Sequence, residues 1–181
     1  MGIKKIVITG PESTGKSELT RALAAHYHTF PVMEFARQYL DTNGAGYTQN
    51  DLLKIAAGQL AAEEETIALC KTYNKPFLFA DTDLRVIQIW SEIAFGACDN
   101  KILTQIARRE YHLYLLCDTD LPWHPDPYRE YPDPNDRKRI FHHYRAGLMF
   151  QEVPFTIISG TGEQRINSAI SIVDRFLATE N

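Results

Sequence analysis

Cysteine is scarce in this chain. Cys70, Cys98 and Cys117 are three residues in 181, far apart and with no C-x-x-C pair among them. An odd count at wide spacing excludes a disulfide framework and a cysteine zinc site, and points to free thiols in a reducing compartment. Long apolar runs are also lacking. No stretch approaches the ~20 residues needed to span a bilayer, and Met1-Gly2-Ile3-Lys4-Lys5 runs into the first strand with no signal peptide ahead of it. A soluble, cytoplasmic protein without a membrane partner is expected. Positive charge is not in excess either, since the formal net charge is −4. The basic run Arg137-Lys138-Arg139 is offset by Asp133 and Asp136, so nucleic acid is not expected as the main partner. The histidines are scattered, and His142-His143 has no matching metal ligands nearby. With no repeats and no low-complexity linker, residues 1–181 read as one domain able to bury a sizeable core.

What is present begins at Gly10. Residues 10 to 17 read Gly10-Pro11-Glu12-Ser13-Thr14-Gly15-Lys16-Ser17, a complete G-x-x-x-x-G-K-[ST] phosphate loop. The apolar run Lys5-Ile6-Val7-Ile8-Thr9 precedes it, and good helix formers follow from Ser17. Strand, glycine-bounded loop and helix N-terminus are the context this motif requires. Loop amides and the helix dipole then converge on phosphate oxygens. Lys16 adds a point charge near the β- and γ-phosphates, and Ser17 a hydroxyl ligand for Mg²⁺. ATP and Mg²⁺ are the cofactors this implies.

Strand and helix signals alternate along the rest of the chain. Pro31-Val32-Met33-Glu34 reads as a short strand, and Thr48-Gln49-Asn50-Asp51 as the cap of a long helix to about Tyr73. Phe77 to Asp81 and His112 to Cys117 read as buried strands. Helices are expected over about 83–95, 101–110, 136–151 and 163–178, with a last strand at 155–159. The fold class is therefore α/β, a parallel sheet of about five strands with helices on both faces. Ligands in such sheets sit at the carboxyl ends of the strands, where the phosphate loop, Glu34, Asp81 and Gly160 all fall.

Several residues at that edge carry candidate chemistry. Asp81 closes an apolar run, the pattern of a strand-end carboxylate that holds Mg²⁺ beside a phosphate loop. Asp83, Ile87 and Trp90 share one helical face. Either Trp90 stacks on a flat ring while Asp83 binds or deprotonates a hydroxyl, or Asp83 is a helix cap and Trp90 a core residue. Glu34, with Arg37 three residues on, competes for the hydroxyl. Asp83 is preferred because it lies two residues past the metal carboxylate, and the alternative role for Glu34 is to bind a ribose hydroxyl or orient Arg37. The proline-rich stretch within about 118–139 reads as a lid that excludes water and brings Arg129, Arg137 or Arg139 to the transferred phosphate. Gly160 and Gly162 suit close backbone approach to a base such as adenine, and equally an ordinary turn.

The order of these pieces resembles the ribosylnicotinamide kinase domain of NadR-type proteins. The matching residues are the loop at 10–17, Glu34-Phe35-Ala36-Arg37, Gln59, Asp81-Thr82-Asp83, Trp90, and Pro122-Trp123-x-x-Asp126-x-x-Arg129-Glu130. Pro127 stands where the family is expected to carry glycine. The resemblance implies ATP-dependent phosphorylation of the 5′-hydroxyl of nicotinamide riboside, giving nicotinamide mononucleotide. It implies substrate contacts from Glu34, Arg37, Gln59, Asp83, Trp90, Trp123 and Asp126, with Trp90 or Trp123 stacking on the cationic ring. Longer members add an adenylyltransferase domain and a DNA-binding region, and this chain is expected to be a kinase alone. A kinase for another nucleoside or small alcohol, or an ATPase module with no acceptor, are the rival expectations.

Overall fold

The computed structural model describes residues 2–179. Five strands form one sheet in the order β2-β3-β1-β4-β5, and every neighbouring pair is parallel. They are β1 (Lys4–Thr9), β2 (Pro31–Val32), β3 (Phe77–Asp81), β4 (Leu113–Cys117) and β5 (Phe155–Ile158). The helices are α1 (Lys16–His26), α2 (Phe35–Asn43), α3 (Gln49–Thr72), α4 (Leu84–Phe95), α5 (Asn100–Arg108), α6 (Pro134–Met149) and α7 (Gly162–Thr179). The α/β expectation, with helices on both faces, is what forms.

Why the strands read as unbroken apolar runs is visible in their packing. Alternate residues point to opposite faces of the sheet, and here both faces are covered. Ile6, Ile8, Phe77, Phe79, Leu113, Leu115 and Ile158 meet Leu19, Leu23, Ala169 and Val173 of α1 and α7. Val7, Val32, Leu78, Ala80, Tyr114 and Leu116 meet Ile89, Ile140, Phe141, Tyr144 and Leu148 of α4 and α6. A third cluster joins α3, α4 and α5 through Leu52, Ile55, Leu84, Ile87 and Ile102. At the amino ends of the strands, Lys5 Nζ pairs with the buried Glu63 Oε1 at 2.9 Å, and Tyr111 donates to Glu63 Oε2 at 2.9 Å. The extra hydrogen bond makes burial of that charge pair tolerable.

Two boundaries differ from expectation. The short second strand stops at Val32, and Glu34 is instead the N-cap of α2, a nine-residue helix where a polar strand end and a glycine turn are predicted. Leu40 is the buried residue of that helix, and Ala36 and Tyr39 pack on the third cluster at helical spacing from it, a pattern too short to stand out from the glycine turn that follows. Contacts with α3 hold its start. Helix α6 begins at Pro134, earlier than predicted, because Asp133 Oδ1 accepts from Asn135 N at 2.8 Å and proline suits the first helical turn. The capping box before α3 forms as read, with Thr48 and Asp51 bonded reciprocally.

Candidate active site

The phosphate loop turns between β1 and α1 at the carboxyl edge of the sheet. Gly15 caps α1 in a left-handed conformation at φ 74°, and Ser13 also has positive φ at 56°. Successive amides are thereby turned inward, toward an anion. Gly10 passes so close to β4 that an added Cβ would lie 2.8 Å from the Cys117 carbonyl oxygen. Lys16 Nζ donates to the Pro11 carbonyl at 2.8 Å, across the loop.

A cavity of about 410 Å³ opens from this loop. Gly10, Glu12, Ser13, Thr14, Gly15, Lys16 and Ser17 form one side of it. Glu34 and Arg37 come from α2 and its cap, Trp90 and Ile93 from α4, and Tyr128, Arg129 and Glu130 from the proline-rich segment before α6. Burial raises the Glu34 carboxyl above the usual carboxylate range; the Lys16 ammonium opposes that shift and Asp81 adds to it. Lys16, Glu34 and Asp81 therefore sit within electrostatic reach of one another.

Asp81 is not among the residues that line the cavity, and its case for a metal role rests on the chemistry of its buried carboxylate. It is fully buried, and neither carboxylate oxygen has a hydrogen-bond partner. Burial pushes its pKa up, and the Lys16 charge and the Ser17 hydroxyl pull it down. An unpartnered buried carboxylate facing a cation and a hydroxyl is a costly arrangement unless a further cation completes it. Ser17 and Asp81 are thus the residues that would hold Mg²⁺, with phosphate oxygens and water as the remaining ligands. Among the described residues no cluster of three or more His, Cys, Asp or Glu could hold a metal by itself.

Asp83 is held as a helix cap in this structure. It is 2% exposed and does not line the cavity. Its Oδ1 accepts from Arg85 N at 3.2 Å as the N-cap of α4, and its Oδ2 accepts from the Tyr114 hydroxyl at 2.8 Å. Burial pushes its pKa up to about 6. Thr82 explains the placement. At φ 70° it adopts a left-handed turn that a β-branched residue rarely takes. The shared face read from Asp83 through Ile87 to Trp90 is only partly formed, because Ile87 is core and Trp90 reaches the cavity while Asp83 does not.

Other expectations divide in the same way. Gln59 is buried and does not line the cavity; its Oε1 accepts from Phe35 N at 2.8 Å. Trp123 does not line it either, and its Nε1 donates to Glu12 Oε1 at 2.9 Å. Of the two tryptophans, Trp90 faces the cavity. Asp126 binds Arg37 at 2.8 Å, and the Arg37 guanidinium lies 5.2 Å from the Tyr128 ring centroid. Gly160 and Gly162 lie outside the cavity, and Gly160 N donates to Asp120 Oδ2 at 2.6 Å.

The proline-rich segment folds back over the phosphate loop. Glu12 accepts from Glu130 N at 2.9 Å and from Tyr131 N at 2.8 Å, besides the Trp123 indole. Arg129 reaches Ser13 Oγ at 3.3 Å and the His124 carbonyl at 2.6 Å while lining the cavity. Arg137 does not face the cavity; it is buried and donates to the Ser13 and Leu121 carbonyls at 3.0 and 3.1 Å. Arg139 is exposed and pairs with Asp136. Sequence reasoning missed Arg165, which donates to the Thr14 carbonyl at 2.9 Å and binds Asp120 at 2.9 Å. It also missed Tyr47, whose hydroxyl accepts from Trp90 Nε1 and donates to Glu130. Neither residue lies in a motif, and no local signal marks them.

Comparison with known proteins places this geometry. The AAA domain family matches residues 5–165. The trifunctional NAD biosynthesis/regulator protein NadR of Escherichia coli (strain K12) is 27% identical over 142 residues, covering 76% of this chain and 34% of that protein. The chain thus spans about a third of the length of the curated relatives it matches. A crystal structure of NadR protein in complex with NR superposes with a TM-score of 0.73 at 20% identity, over 96% of this chain and 49% of that one. Thymidylate kinase from Ehrlichia chaffeensis superposes with a TM-score of 0.69 at 13% identity, over 96% of this chain and all of that one. At these identities the structures speak to the fold alone.

Proposed function

The chain belongs to the AAA domain family, and we propose that it works as a NadR-type P-loop kinase, moving the γ-phosphate of ATP to the 5′-hydroxyl of nicotinamide riboside. One observation carries the reading: a single cavity joins the phosphate loop to a wall where Trp90 and the carboxylates Glu34 and Glu130 face the space beyond Lys16. A cationic flat ring on a ribose calls for an aromatic face and acceptors for hydroxyls. The NadR relatives, one with nicotinamide riboside bound, support the same substrate.

In this reading the loop amides and Lys16 hold the β- and γ-phosphates. Mg²⁺ held by Ser17 and Asp81 would neutralise phosphate charge. The acceptor oxygen forms a bond to the γ-phosphorus as the bond to the bridging oxygen breaks, and ADP leaves. Glu34 orients the 5′-hydroxyl and takes its proton. The lid excludes water and sets Arg129 against the developing charge.

The deciding experiment offers Mg-ATP with nicotinamide riboside, other nucleosides, shikimate or no acceptor, and follows ADP and phosphorylated product. The expected result is nicotinamide mononucleotide with the highest kcat/KM. Preference for another nucleoside would reassign the substrate, and equal ADP release without any acceptor would mark an ATPase module.

Two variants test the walls. Trp90→Ala should raise the KM for the riboside more than tenfold, since stacking and buried area are worth ~1–3 kcal/mol. An unchanged KM with a lowered Tm would make Trp90 a packing residue only. Arg129→Ala should lower kcat by roughly 10- to 100-fold, the worth of one charge-assisted hydrogen bond, with the KM for ATP nearly constant. Steady-state kinetics separates the two constants, and an unchanged kcat would leave Arg129 as a lid strut.

A further inference from the structure

We propose that Gly58 and Gln59, consecutive on α3, are positioning residues that set Glu34 against the acceptor. The inference rests on the reading of Glu34 as the carboxylate that takes the hydroxyl proton. The element carrying Glu34 is short, and its packing residues Ala36, Tyr39 and Leu40 lie past the cap position that Glu34 holds. The preceding strand, β2, is two residues long, and α2 buries a single apolar residue, Leu40. A glutamate at an N-cap could use its carboxylate on the first amides of its own helix, but the Glu34 side chain makes no cap hydrogen bond. One of those orphan amides is satisfied from another helix, because Phe35 N donates to Gln59 Oε1 at 2.8 Å. The cap comes from α3, and the Glu34 carboxylate is left free to line the cavity.

The orientation of the Gln59 amide is forced. Only its oxygen can meet an N–H, so Nε2 points away, and it has no partner of its own. Gln59 is 3% exposed, too deep for water to replace the lost acceptor. One residue earlier, Gly58 lets the Phe35 ring lie on the α3 backbone; an added Cβ would overlap the ring atoms Cδ1, Cε1 and Cζ. Phe35 is therefore held at its amide by one residue and at its ring by the next. Glu34, its neighbour, inherits that position.

The test is a double-mutant cycle on the full chain with nicotinamide riboside and Mg-ATP. Gln59→Leu should lower kcat by on the order of 10- to 100-fold, the effect of misplacing a reacting group by about 1 Å, with the KM for ATP unchanged. Gln59→Glu keeps an acceptor oxygen and should restore most of kcat. In a Glu34→Gln background, Gln59→Leu should cost nothing further, because its effect passes through Glu34. Amide exchange at Phe35, read by NMR, should speed up in Gln59→Leu and not in Gln59→Glu, whatever the acceptor. Gly58→Ala approaches the same joint from the ring side, and carries the kinetic test should Gln59→Leu fail to fold. An unchanged kcat, an equal loss in both backgrounds, or an unchanged Phe35 exchange rate overturns the positioning role. Full kcat in Glu34→Gln alone overturns the reading of Glu34 on which it rests.

Discussion

Lys16→Ala is expected to cut phosphoryl transfer by at least about 10³-fold and leave the fold standing. The ammonium is the cation of the phosphate loop itself, and it lies within electrostatic reach of both Glu34 and Asp81. Those carboxylates are destabilised by burial, and Lys16 offsets that for each. In the transition state the same charge serves the β,γ-bridging region, where negative charge builds as the bond breaks. Its structural role is the hydrogen bond to the Pro11 carbonyl, worth about 0.5–1.5 kcal/mol, and the compensation of two carboxylates that can instead protonate when it is lost. Circular dichroism should therefore be unchanged, while Tm falls. A folded variant with near-normal turnover would remove the kinase reading altogether.

The second large effect separates the two carboxylates. Glu34→Gln should lower kcat/KM by about 10²–10⁴-fold, the range of a positioned acid–base group. Its pH dependence carries a sign that can be worked out. A carboxyl raised by burial stays protonated to higher pH than usual, and a protonated Glu34 cannot take the hydroxyl proton. Activity should therefore climb as pH rises through a limb above the ordinary carboxylate range, and that limb should vanish in Glu34→Gln. Asp83→Asn should behave differently. Asparagine caps a helix as well as aspartate, with its oxygen accepting from Arg85 N and its amide donating to the Tyr114 hydroxyl oxygen, which can turn to accept. Its kcat/KM should stay within about threefold of the parent, since Asp83 does not reach the cavity. If instead Asp83→Asn loses kcat and Glu34→Gln does not, the two roles must be exchanged.

That contrast shows where the sequence is legible. β3 and the phosphate loop are written in contiguous residues, apolar runs and glycine spacing, and they form where they are read. The capping box at Thr48 is equally local. Glu34 and Asp83 look alike in sequence, since each carboxylate follows a short apolar run at the active edge. What separates them is the left-handed turn at Thr82, and threonine is among the residues least expected there. Helix α2 is hard to read for a related reason: its apolar spacing is short, and Phe35 at its start is held by Gly58 and Gln59, more than twenty positions away along the chain. Arg137 and Arg165 are similar cases. Arg137 reads as a lid arginine for the transferred phosphate and Arg165 carries no signal, yet both are buried and bonded to carbonyls of Ser13 and Thr14 inside the phosphate loop.

The three hydrogen bonds that the lid makes to Glu12 have a kinetic meaning. In the proposed kinase Glu12 belongs to the loop that grips the nucleotide, so the part that grips and the part that covers are fastened to each other. A spent nucleotide would leave past the lid only once those bonds part, and a fresh one would arrive before they re-form. Each cycle of exchange would then carry an unlatching step unrelated to the chemistry of transfer. Weakening the latch shortens the dwell time of the bound nucleotide, and it does so at the expense of keeping water out while the phosphoryl group is in flight.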